Sequence, residues 1–158
     1  MTKKECPDVE VDINMCVQSA LVFLGQGEQM IQDRDGFRFF LYHMAPSAVN
    51  LAFACELYLK ALLAMENNGV AKKTHLLKCL FDLLSDPTKA EIRADYSSVE
   101  TLQSLDECIA THNNAFVEWR YCYEKSGNPI SFEPFSLYRF AVSLYHVYCK
   151  KEAPENAE

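Results

Sequence analysis

Glycine is scarce in this chain, with five in 158 residues. That weighs against folds built on tight turns or glycine-lined phosphate loops, and neither a Walker loop nor GxGxxG occurs. Basic charge is also short: 15 Lys and Arg stand against 22 Asp and Glu, a net charge of −7. Phosphate backbones repel such a surface unless its basic groups are gathered locally. General nucleic-acid packaging is thereby excluded, whereas an RNA-handling site in a small basic pocket is not. The seven cysteines include no CxxC pair. They read as small buried hydrophobes of a reducing compartment, not as a disulfide framework or a zinc knuckle. HExxH and a Ser-His-Asp order are absent as well, so neither metal nor cofactor is expected. The start, MTKKECPDVEVD, lacks the apolar stretch of a signal peptide. The longest apolar run, from Ala45 to Met65, is interrupted by Pro46, Ser47, Asn50, Glu56 and Lys60. These features predict no membrane span and a cytoplasmic location.

What is present is helical periodicity over one domain's length. Residues 1–10 and 151–158 are polar and read as flexible ends around a single helical domain, 11–150. A first helix is expected from Val11 to about Arg34, weakened by Gly25 and Gly27. Asp35-Gly36 marks a turn. Pro46 then either opens the most apolar helix or kinks a longer one, and Asn67-Asn68-Gly69 closes it. Thr74 is the expected cap of a short helix, and Asp86-Pro87 starts a minor one. Ser97 and Glu100 read as a capping box for a long helix whose stripe runs through Val99, Leu105, Ile109, His112, Phe116 and Trp119. Gly127-Asn128-Pro129 ends that helix, and Phe135 to Tyr148 forms the last. No sustained strand alternation is visible, so the prediction is an all-α bundle of about five helices.

The informative residues are charges set into apolar faces. Glu56 and Lys60 are four apart in the most apolar helix, in the order that favours a pair. Either Glu56 is partly buried and needs a cation, for which Arg120, beside Trp119 on the long helix, is the obvious candidate, or the pair is exposed and Arg120 lies at a rim. Glu124 follows Arg120 by one turn. His75 sits in AKKTHLLK, the densest basic spot, where it could help hold a phosphate or simply pack in a helix's first turn. His112 reads as a satisfied core histidine. The many tyrosines could stack bases or, more ordinarily for such a stripe, fill a core or a dimer interface.

Three segments, AVNLAFACELYLKALL, KTHLLKCLFDLL and NAFVEWRYCYE, together resemble the HEPN superfamily of small helical domains. The matching pieces are ExxxK at Glu56 and Lys60, HxL at His75 to Leu77, and F…RYxYE at Phe116 to Glu124, spread over most of residues 37–148. The resemblance implies a helical bundle that homodimerises. In many members it implies metal-independent ribonuclease activity from an arginine and a histidine separated by four to six intervening residues, brought together across the dimer. It also implies a defence or toxin–antitoxin setting beside a nucleotidyltransferase-like partner. A histidine near neutrality can move the proton while arginine stabilises the developing phosphorane charge.

The chain departs from that pattern at Arg120, which is followed by Lys125, Ser126 and Gly127 where histidine would fall. Arg38–His43 and Arg139–His146 do meet the spacing, each arginine being followed by phenylalanine where the family's nucleases carry a polar residue. Two readings follow. One is a non-catalytic HEPN-like module, associated with RNA or nucleotide or with protein partners, whose polar cluster is Glu56, Lys60, His75, Arg120 and Glu124. The other is a ribonuclease using Arg139 and His146. The missing histidine after Arg120 and the net charge favour the first.

Overall fold

The computed structural model describes residues 6–33, 35–124 and 131–153. The architecture is all-α, with eight α-helices and one pair of very short strands among the described residues. Strand β1 (Asp8–Glu10) leads into α1 (Ile13–Ile31), whose cap is Asp12, accepting from the Met15 N–H at 3.0 Å. A one-turn helix α2 (Gly36–Arg38), a π-helical turn (Phe39–His43) and α3 (Met44–Glu66) then run on without a break. Pro46 is the third residue of α3, so the longer, perturbed helix is the form adopted. Proline has no N–H and crowds the carbonyl four residues back, and the wider π turn just upstream accommodates both effects.

Helix α3 is the axis of the molecule: α1, α4, α7 and α8 all pack on it. It buries Leu51, Tyr58, Leu59 and Leu62 completely. By length and composition α3 could cross a membrane, and 67% of its most apolar window is buried inside this fold. Its most extensive contact is with α1, and Gly27 leaves out a side chain where α1 meets Leu51. A Cβ there would lie 2.6 Å from Leu51 Cδ2. Asn68 and Gly69, with φ of 51° and 86°, end α3 in the left-handed conformation that glycine and asparagine tolerate. The Gly69 N–H closes that end on the Ala64 carbonyl.

The chain then enters β2 (Val70–Lys72), antiparallel to β1 with Val9 opposite Ala71. Residues 8–10 are therefore paired, not a loose end as the sequence led us to expect. Three-residue strands are too short to show alternation. Helix α4 (Leu77–Leu83) has no side-chain cap of its own. Thr74, the expected cap, forms a local turn to the Leu76 N–H. Instead Asn113, far along the chain, accepts from the N–H groups of Leu77 (through its carbonyl, 3.0 Å) and Lys78 (through Oδ1, 2.8 Å).

Ser85 caps α5 (Asp86–Ser97), one residue before the expected position. Glu66, the last residue of α3, accepts from Ser85 N and Oγ and from Thr88 Oγ1 at 2.9, 2.7 and 2.5 Å. Burial pushes the Glu66 carboxyl up, but these hydrogen bonds outweigh it and hold the group below its ordinary value.

The expected long helix from Ser97 is not formed. Ser97 ends α5, and the capping box is Ser104 with Glu107, opening α6 (Leu105–His112). The sequence offers Ser-x-x-Glu at both places, and only the second directs its apolar stripe inward. Asn113 and Asn114 interrupt the stripe before α7 (Ala115–Arg120) and a 3-10 turn (Cys122–Glu124). The stop expected at Gly127-Asn128-Pro129 lies outside the described residues. Helix α8 (Pro134–Glu152) closes the bundle, with Leu137, Phe140 and Leu144 in the core against α3, α5 and α6.

Candidate functional site

Glu56 faces inward from α3 and is 1% exposed, so its carboxylate needs compensation. Lys60, one turn on, supplies it: Nζ lies 2.7 Å from Glu56 Oε1. The second partner is His75, not the expected Arg120. His75 Nδ1 lies 3.1 and 2.9 Å from the two carboxylate oxygens. A carboxylate can only accept, so Nδ1 is the donor and Nε2 is left to the outside of a half-exposed ring. The backbone explains the meeting. Pairing of β2 with β1 and capping of α4 by Asn113 together hold the short link carrying His75 over the middle of α3.

Arg120 belongs to the same site by another route. Its guanidinium sits over the Phe116 ring, 4.8 Å from the centroid, and donates to the Tyr121 hydroxyl at 3.1 Å. His75 meets that same ring at 5.1 Å. Phe116 in turn stacks on Phe53 of α3 at 4.5 Å, with Phe23 of α1 edge-on to Phe53. An aromatic column thus carries His75 and Arg120 at its outer end. Glu124 lies in the 3-10 turn beyond, exposed, with its backbone N–H on the Tyr121 carbonyl. Its side chain forms no hydrogen bond or ion pair with Glu56, Lys60 or His75. Four of the five expected residues are therefore assembled, and Phe116 is the part that links them.

In charge terms, Lys60 offsets Glu56 within the buried pair, and Arg120 adds a guanidinium at the Phe116 ring. The Arg120 guanidinium is a donor beside an aromatic surface, and His75 Nε2, with Nδ1 committed to Glu56, accepts in the neutral ring and donates only in the protonated one. That arrangement can hold an anion. Among the described residues no group of His, Cys, Asp and Glu could hold a metal ion.

The Arg139–His146 pair is also brought together, through a residue with no sequence signal. Asp95, at the end of α5, accepts from His146 Nδ1 at 3.0 Å and from Arg139 Nη2 at 3.3 Å. Arg139 further donates to the Asp95 and Tyr96 carbonyls and to Ser98 Oγ, closing the C-terminus of α5. Its side chain is only 11% exposed, against 52% for His146. The other spaced pair repeats the motif: Asp33 lies 3.5 Å from Arg38 Nε and 3.2 Å from His43 Nε2. Each arginine–histidine pair is thus clamped by an aspartate within one chain.

His112 is fully buried, as expected of a core histidine. Nδ1 donates to the Cys108 carbonyl at 2.8 Å and Nε2 accepts from the Glu133 N–H at 3.0 Å. Desolvation lowers its proton affinity.

No protein-family model matches the chain, nor does any curated protein or solved structure.

Proposed function

We propose that this chain is a HEPN-like, non-catalytic module that binds a phosphate-bearing ligand, RNA or nucleotide, at the Glu56–Lys60–His75–Arg120 site. One observation carries this reading: a buried carboxylate, already neutralised by Lys60, orients His75 so that Nε2 and the Arg120 guanidinium project together around Phe116. Arg120, joined by His75 when its ring is protonated, supplies phosphate contacts, and the aromatic column offers a face for a base. With it go a cytoplasmic location, resting on the cysteine usage and the interrupted apolar run, and a homodimer and a nucleotidyltransferase-like partner in a defence or stress system, resting on the family resemblance.

A second reading, ribonuclease action by Arg139 and His146, is favoured by the Asp95 contact that fixes His146 Nδ1 and leaves Nε2 exposed. Against it, the Arg139 guanidinium is spent on the α5 carbonyls and Asp95. Calorimetric titration with adenosine monophosphate and a short single-stranded RNA tests the first reading. Arg120→Ala and His75→Ala should each weaken binding by about tenfold, the value of one charge-assisted contact. Unchanged binding in both variants overturns it. Incubation of a tRNA and mRNA pool without added metal tests the second. Cleavage lost in both Arg139→Ala and His146→Ala would establish the nuclease in its place.

A further inference from the structure

The largest exposed apolar side chains on the α8 side of the bundle gather around its first turn. Leu102 is 86% exposed, Phe135 61% and Val99 51%. They border two open hollows of about 510 and 690 Å³ that share Phe135 and Tyr138 as a common wall. The two hollows adjoin at this wall as a two-part groove, one part lined by the α5–α6 connection and the other by the end of α1.

Leu102 is not exposed because its loop is loose. Gln103 beside it is tied on three sides. Its carbonyl accepts from the Tyr96 hydroxyl at 2.9 Å and from Thr101 Oγ1 at 2.8 Å. Its N–H donates to Ser136 Oγ, and its Nε2 to Thr111 Oγ1 at 3.1 Å. Arg139 anchors the base of the same connection through Tyr96 and Ser98. A loop bonded to α5, α6 and α8 at once holds Leu102 outward in a preset position, which lowers the entropy cost of covering it. Contiguous exposed apolar surface of this kind marks an interaction site.

Charge selects the occupant. Glu100 lines one hollow and Glu28, whose Oε1 accepts from the Tyr138 hydroxyl at 2.6 Å, lines the other, while Arg139, the one cation among the described lining residues, is turned into Asp95. Apolar floor between carboxylates repels nucleic acid and anionic lipid surfaces and attracts Lys and Arg. We propose that this groove docks a basic amphipathic helix of a protein partner, its apolar face over Leu102 and Phe135 and its cationic flanks toward Glu28 and Glu100.

The test uses the full chain and two labelled synthetic helical peptides with the same leucine stripe, one with lysine flanks and one with glutamate flanks, followed by fluorescence anisotropy. The lysine peptide should bind at least about tenfold more tightly than the glutamate peptide, and more weakly as salt rises. Leu102→Asp should weaken it by a further factor of about ten or more, as expected for a central apolar anchor. Since Leu102 is exposed, that variant should keep the wild-type circular dichroism spectrum. Phe135→Ser should act in the same direction. Equal binding of both peptides, no binding of either, or binding untouched by Leu102→Asp overturns the proposal. So does a dimer in sedimentation that Leu102→Asp converts to monomer, because the occupant would then be a second copy of this chain.

Discussion

Replacing Lys60 by methionine isolates the energetics of the buried carboxylate. The substitution keeps the aliphatic stem and removes only the ammonium that lies 2.7 Å from Glu56. Glu56 is 1% exposed and Lys60 14%, so water cannot replace the lost partner without opening the helix face. Removing one member of such a pair costs about 3–5 kcal/mol when nothing else compensates. Here His75 still donates to the carboxylate, which lowers the expected loss to about 2–3 kcal/mol. For a chain of this length that corresponds to a fall of about 5–10 °C in melting temperature, read by far-UV circular dichroism. The double variant Glu56→Leu with Lys60→Met removes both charges and should regain most of the loss, since an apolar pair needs no compensation. A Lys60→Met protein melting within about 1 °C of wild type, or a double variant no better than the single, would refute the argument.

Three other outcomes follow from the packing. Gly27→Ala should cost about 1–3 kcal/mol in urea unfolding, despite the gain in helix propensity, because the new Cβ meets Leu51 at 2.6 Å; a neutral or stabilised variant would mean that the helices part freely. Ser104→Ala should lose about 1 kcal/mol with the capping box, whereas Ser97→Ala should lose little, and the reverse order would restore the sequence-based boundary. His112 is bound neutral, so the unfolded chain takes up a proton below about pH 6.5 that the folded chain refuses. The stability it contributes is present above that pH and lost as pH falls through it. Unfolding free energies measured at about pH 7.5 and 5.5 should therefore show a steeper loss for wild type than for His112→Asn, and equal slopes would dismiss the group.

The fold class was legible because long apolar stripes carry it, as α1, α3 and α8 show. Boundaries were less so where two segments offer the same signal, as Ser97 and Ser104 do. The site was legible in part. Glu56 and Lys60 share a helix, and a local pattern places them one turn apart. The partnership of Glu56 with His75 depends on how β1 meets β2 and how Asn113 reaches α4, and no spacing encodes either. Asp95 was invisible for the same reason: it is 51 residues from His146 and joins it only through packing of α5 on α8.

The dependence of α4 on Asn113 also orders events in time. A seven-residue helix lies far below the length at which a peptide helix persists in water, and its first turn has no donor-satisfying side chain of its own. The atoms that satisfy it are 35 residues downstream at Lys78. As the chain emerges from its amino end, α1 and α3 can pair at once, while α4 must wait until the junction of α6 and α7 has been made and delivered. Helix content at Leu77–Leu83 is thus a clock for completion of the fold, and with it for the arrival of His75 over Glu56.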